Sequence, residues 1–261
     1  MMKLLAIRKI LRKSILDKLS INSNPQNGIH ILNGHFLSLG PSVPNSVFEM
    51  QLIALSESGV EFIDFDIAVK RIEKEDFPEN RCLAAFTFDD GFEECFSKIR
   101  PILNRYGIKA CFFINPNFVD GDKQYKENFK KNIVFTDKNP MSWEQIRELQ
   151  EEGHFIGAHT MDHIRLDIDD KEILEFQIGK SKKVIEEKLN VPCDYFAFPY
   201  GKLEHISSTG VDIAAKHFKY IFSQSNYKHY FSFNKKVINR RHFECDWPYK
   251  HTLYFLKKKK L

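Results

Sequence analysis

No stretch of this 261-residue chain approaches the roughly 18 consecutive apolar residues that cross a bilayer as a helix. Its first residues also lack the uninterrupted apolar region and small-residue cleavage site of a secretory signal. Cysteine is scarce and unpatterned. The five, at positions 82, 95, 111, 193 and 245, are odd in number and contain no Cys-x-x-Cys pair. That argues against a disulfide framework and for a reducing compartment, and none of the five sits in a turn that would make it a nucleophile. A net charge of +4 is too small to point to nucleic acid. The expected location is therefore cytoplasmic. Met1 to Ser20 carries Lys3, Arg8, Lys9, Arg12, Lys13 and Lys18 against Asp17 alone. An amphipathic helix there would suit the inner face of an anionic membrane, and equally a solvated helix packed on the body. The oligomeric state is open.

What is present is a chain 43% apolar with 24 phenylalanines, enough for a sizeable aromatic core. Its centre of gravity is Phe86-Thr87-Phe88-Asp89-Asp90-Gly91, which follows the apolar run Cys82 to Ala85. A buried strand broken by Asp-Asp-Gly delivers two adjacent carboxylates to a strand's carboxyl end, where α/β sheets keep their chemistry. Adjacent carboxylates repel and call for a cation or a shared proton. Candidate metal ligands lie in His159-Thr160-Met161-Asp162-His163, whose two imidazoles are four residues apart. On a helical turn that spacing sets both rings on one face. They and one carboxylate could then hold an ion with an open fourth position.

Thr-Phe-Asp-Asp-Gly followed by His-Thr-Met-Asp-His resembles the signature of the NodB-homology polysaccharide deacetylases, carbohydrate esterase family 4. The similarity runs from about Ile29 into the 240s, with a motif order like that of the poly-N-acetylglucosamine deacetylases. It implies an α/β fold, a distorted (β/α)7 barrel, with circular permutation left open. It also implies a metal-dependent hydrolase that removes N-acetyl groups from amino sugars in a polysaccharide or its precursor. Asp90, His159 and His163 would bind a divalent ion and Asp89 would be the general base. Zinc suits the ligands best, and other divalent ions also fit. The Tyr200 N–H, in Phe198-Pro199-Tyr200-Gly201, would stabilise the oxyanion. His35 is nominated as general acid, with His242 as the fallback; Gly34-His35 stands where such relatives carry Tyr-His. Many members have an arginine near the position of Ala197 that orients the catalytic carboxylate, and Arg240 or Arg241 would have to replace it. Asp246-Trp247 has the residues of a further family motif but comes late in the chain. Two rival readings are a deformylase of a lipid-linked amino sugar and a metal- or carbohydrate-binding module without turnover.

Along the chain, residues 1–28 read as a basic helix and linker, 29–250 as the catalytic domain and 251–261 as a basic tail. Strands are expected at Ile29 to His35, Val60 to Asp64, up to Phe88, Lys109 to Ile114, His154 to Ala158, Tyr195 to Phe198, Lys219 to Ser223 and Lys236 to Asn239. Helices are expected at Phe48 to Ser58, Phe92 to Tyr106, Ser142 to Glu152, Ser207 to Phe218, and from about Lys171 to Leu189 with Asp169 as its cap. Ile67 to Asn80 and Phe118 to Asn139 read as connections, the second a candidate substrate loop.

Overall fold

Strands buried on both faces need near-continuous apolar runs, and this chain supplies them. In the computed structural model all seven residues of β1 (Gly28–Gly34) and of β3 (Cys82–Phe88) are buried. The structure describes residues 2–21, 23–39, 43–224 and 228–257, with side chains from residue 11 onward. The remaining strands are β2 (Val60–Phe62), β4 (Cys111–Ile114), β5 (Phe155–Ala158), β6 (Tyr195–Ala197), β7 (Tyr220–Ser223), β8 (Phe231–Ser232), β9 (Val237–Asn239) and β10 (Arg241–His242). Their order is β10-β1-β3-β4-β5-β6-β7-β9-β8, and β2 pairs with the first half of β3. Every ladder is parallel except β8 on β9. The two ends of the sheet belong to one stretch of chain. β9 pairs with β7, β10 pairs with β1, and only Arg240 lies between them. With β9 and β10 counted as one position, the path has seven parallel positions, which curl into a distorted barrel.

Side chains alternate across a strand, and one alternate set fills the barrel. Ile29, Ile31, Leu83, Ala85, Cys111, Phe113, Ala197 and Phe222 form one core cluster with Phe65, Ala68, Val69 and Ile72. The last four come from the helix Phe65–Glu73. The opposite set, with Phe86, Phe88 and Phe112, packs under the outer helices. Continued along β1 and β3, the inward row changes from apolar to polar at Asn33, Thr87 and Asp89. The sequence therefore sets a dry interior below and a polar carboxyl end above.

Several connections differ from expectation. Ile67 to Asn80 begins inside the helix Phe65–Glu73, because Phe65, Ala68, Val69 and Ile72 recur at helical spacing beneath the charge. Phe118 to Asn139 contains the helix Lys123–Asn128 and a π-type turn, Phe129–Ile133, with Phe118 and Phe129 stacked at 4.0 Å. Lys171 to Leu189 is helical throughout, with a wider turn at Phe176–Lys180. Its cap is Asp170, whose carboxylate accepts the Glu172 and Ile173 N–H groups; Asp169 accepts the Thr209 hydroxyl instead. Residues 251–257, expected within a tail, belong to the helix Tyr249–Lys257, which buries Leu253, Phe255 and Leu256. Lys258 to Lys260 lie outside the described residues. The helix Met2–Leu19 packs on this one through Leu16, and Asp17 accepts from His251. All five cysteines are free and buried.

His154, at the foot of β5, is structural. Its Nδ1 accepts the Ala110 N–H at 3.2 Å, while Nε2 donates to Asn104 at 3.1 Å. Only the neutral ring satisfies both, and burial pushes its pKa down to about 4, Lys109 adding to the effect and Glu152 opposing it. Between about 6.5 and about 4 the unfolded chain binds a proton that the folded chain refuses, so stability falls with pH by up to about 3 kcal/mol across that window. His154→Gln, which keeps an acceptor and a donor, should lose less stability than the wild type between pH 7 and 5 in urea unfolding. Parallel losses would contradict this account.

Candidate active site

The site is assembled at the carboxyl ends of the strands, on the chain segments that leave them. After β3 the chain turns through Asp90 and Gly91, both in left-handed conformation at φ +71° and +68°. Aspartate tolerates that region better than most residues, and glycine adopts it freely. A Cβ at Gly91 would also stand 3.1 Å from Ile114 Cδ1.

After β5, His159 to His163 forms no helical turn, contrary to the expectation from spacing. Thr160 and His163 have φ of +66° and +54°, and the segment is an irregular loop. Asn115, at the end of β4, donates from its amide to the carbonyls of His159 and Thr160, while the Thr160 hydroxyl accepts the His163 N–H at 2.9 Å. Asp162 is gripped by Asn117, Tyr125 and Gln177. These bonds bring the two rings to 5.1 Å without a helix.

The Asp90, His159 and His163 ligand atoms all lie within 4.8 Å of one another, and all three residues are buried. Asp90 Oδ1 stands 3.5 Å from His159 Nε2 and 3.2 Å from His163 Nε2. It is a buried oxygen without a hydrogen-bond partner among the described residues. His159 donates its Nδ1–H to the Ala197 carbonyl at 2.7 Å, which leaves the Nε2 lone pair facing Asp90. Burial lowers the His159 pKa to about 4 against the pull of Asp89, so the ring is neutral at pH 7. Burial pushes the Asp90 carboxyl up, but His163 and the neighbouring imidazoles outweigh it and hold it low. Two imidazoles and a carboxylate with an orphaned oxygen make a donor set that fits a divalent ion.

Asp89 lies beside this cluster, its Oδ2 3.9 Å from His159 Nε2. Arg240 grips both of its oxygens at 2.8 Å in a two-pronged pair. The guanidinium also donates to Asn33, Thr87 and the Ser223 carbonyl, and lies 5.1 Å from the Phe113 ring. Burial raises the Asp89 pKa, and Arg240 and then His159 more than reverse it, so the group stays ionised. The guanidinium absent near Ala197 thus comes from between β9 and β10. Arg241 is buried on the outer side, donating to the Phe255 carbonyl.

One cleft of about 1070 Å³ is lined by Asp89, Asp90, His159, His163, His35 and Tyr200, among others. Tyr200 is 42% exposed in left-handed conformation, its ring 4.8 Å from His163. Its backbone N–H has no acceptor among the described residues. Gly34 admits no larger residue easily, since a Cβ there would stand 3.0 Å from the Phe88 ring. His242 is outside the cleft lining, with Nδ1 3.1 Å from the Gln224 amide and Nε2 3.0 Å from Glu244. Asp246 accepts the Ser38 hydroxyl, and the Trp247 ring forms part of the cleft wall. Sequence reasoning missed Asn33, Thr87 and Asn115. Thr87 stood in the Thr-Phe-Asp-Asp-Gly motif without a role, and the signal of the other two was polar character at positions where a buried strand ends.

The polysaccharide deacetylase family model matches residues 78–217. The chain belongs to that family. The matched span of this deacetylase-family chain holds Asp89, Asp90, His159, His163 and Tyr200, whereas His35, Arg240 and His242 lie outside it. Among curated proteins it is 26% identical to Bacillus subtilis YxkH over 174 residues, 66% of this chain and 56% of that one. It is 29% identical to a Bacillus cereus peptidoglycan-N-acetylglucosamine deacetylase over 117 residues, 44% of this chain and 45% of that one. The chain thus spans about half the length of these relatives. Among solved structures, IcaB from Ammonifex degensii superposes with a TM-score of 0.69 at 20% identity, covering 90% of this chain and 100% of that one. The Streptococcus pyogenes deacetylase PplD, solved with acetate, gives 0.68 at 19%, covering 89% and 99%. Both likenesses establish the NodB-type α/β fold.

Proposed function

We propose that this chain is a metal-dependent carbohydrate N-deacetylase, hydrolysing the N-acetyl group of an amino sugar in a polysaccharide or its precursor. The observation that carries the reading is the placement of Asp89, held by Arg240 on one side and facing the Asp90–His159–His163 cluster on the other. The family and the named activities of the relatives support it.

A divalent ion held by Asp90, His159 and His163 would polarise a carbonyl and acidify a water. The chain's own groups do the rest. Asp89, kept ionised by Arg240, takes the proton of the attacking water as a new C–O bond forms at the acetyl carbon. The Tyr200 N–H, which has no acceptor among the described residues, offers a hydrogen bond to the developing oxyanion. His35 gives a proton to the sugar nitrogen as the C–N bond breaks, leaving acetate and a free amine. His242 is the weaker candidate for that step, because Gln224 and Glu244 already face its two nitrogens.

The test is acyl release from matched substrates. N-acetylglucosamine oligomers should yield acetate, with the corresponding N-formyl sugars assayed alongside for formate. Formate release without acetate would replace this reading with the deformylase one. Metal and sugar binding without any release would leave a binding module.

A further inference from the structure

The cleft is much larger than the chemistry needs, and its outer walls are of the wrong kind for a free polysaccharide. At about 1070 Å³ it lies just above the roughly 300–1,000 Å³ range of small-molecule sites. One wall is the helix Met2–Leu19, which turns Leu16 inward against Trp247 and Phe255 and leaves Leu11, Ile15 and Leu19 on the cleft. These recur every four residues, so they form a continuous aliphatic stripe. They are 58%, 57% and 49% exposed, and Leu39 and Phe135, also in the lining, are 51% and 41% exposed. Among the described residues fourteen large apolar side chains are exposed, and six of them, counting Tyr200, line this one cleft. Concentration around a single opening marks a binding surface, since scattered exposure would not gather there. The stripe offers nothing to a sugar hydroxyl. Among the described residues the one permanently cationic side chain in the lining is Arg12, next to Leu11 in sequence, with its guanidinium 5.1 Å from the Trp247 ring.

We propose that the amino sugar reaching the Asp90–His159–His163 cluster is carried on a long aliphatic chain through an anionic link. The chain lies along Leu11, Ile15 and Leu19, the link meets Arg12, and the substrate class is a lipid-linked amino sugar. This rests on the deacetylation proposed above, at the same site.

The experiment measures acetate release by the full chain from N-acetylglucosaminyl phosphate esters of ethanol and octanol, each below its critical micelle concentration, with N-acetylglucosamine oligomers alongside. Each methylene that reaches the stripe should raise kcat/KM about two- to fourfold. The octyl ester should therefore exceed the ethyl ester by at least about 50-fold. Ile15→Asp should cut that octyl-to-ethyl ratio at least tenfold, whereas Ile67→Asp, exposed elsewhere, should keep it. Arg12→Gln should raise KM for the octyl phosphate ester more than for an uncharged octyl glycoside. Equal kcat/KM for the two esters, with acetate released from both, overturns the lipid-linked substrate and leaves deacetylation standing. So does a chain-length gain that Ile15→Asp does not reduce, or one seen only when vesicles are present, which would assign the stripe to a bilayer. No acetate from any substrate, oligomers included, overturns the deacetylase reading and this inference with it.

Discussion

Asp89→Asn should lower acetate release about a thousandfold while the protein keeps its metal. The carboxylate is not one of the three clustered ligands, and its Oδ2 lies 3.9 Å from His159 Nε2. A positioned general base typically contributes about 10²–10⁴ in rate. The amide keeps one oxygen for Arg240 but turns an N–H₂ toward guanidinium donors, so some stability is lost as well, about 1.5–3 kcal/mol for a hydrogen bond to a charged partner. Metal content and single-turnover acetate release on the same preparation separate the two effects. A variant that retains metal and more than a tenth of the wild-type rate would remove Asp89 from the role of base.

Arg240→Met should damage both folding and turnover. The side chains of this pair are 0% and 5% exposed, so removing the cation strands a buried carboxylate. The expected loss is about 3–5 kcal/mol, or roughly 6–20 °C in melting temperature for a chain of this size. Activity should fall at least as far as in Asp89→Asn, because the base loses both its orientation and the charge that keeps it ionised. Arg240→Lys should recover little, since an ammonium cannot grip both oxygens while also reaching Asn33, Thr87 and the Ser223 carbonyl. The diagnostic comparison is the double variant Asp89→Asn/Arg240→Met, whose melting temperature should lie above that of Arg240→Met alone. Strictly additive losses would mean that the two side chains do not share one interaction.

The parts legible from sequence were those written in local pattern. The apolar run ending in Asp89-Asp90-Gly91 marked a strand and its turn, and the alternation of strands and helices marked an α/β chain, whereas the barrel was implied by the family resemblance. The four side chains Asp89, Asp90, His159 and His163 were visible as residue types, and the structure brings all four together. Their geometry was not visible. His159 and His163 meet through a loop tied by Asn115 and Thr160, and nothing in a four-residue spacing distinguishes that loop from a helical turn. Arg240 was named only as a substitute for an absent arginine. Its placement depends on the two edges of the sheet meeting at one residue, a fact of closure that no periodicity reports. The helix Phe65–Glu73 was hidden because charged residues on its outer face masked four buried positions. The aliphatic wall of the cleft was likewise invisible, since a stripe at i, i+4, i+8 looks the same whether it meets a core or an opening.

The most direct measurement is a titration of chelator-stripped protein with Co²⁺, following the visible absorption of the bound ion and acetate release from N-acetylglucosamine oligomers together. The account predicts that both rise in step and level off at one ion per chain, and that neither signal appears in His163→Ala. Full acetate release from the stripped protein, or binding that saturates with His163 removed, would contradict a single catalytic ion held by Asp90, His159 and His163.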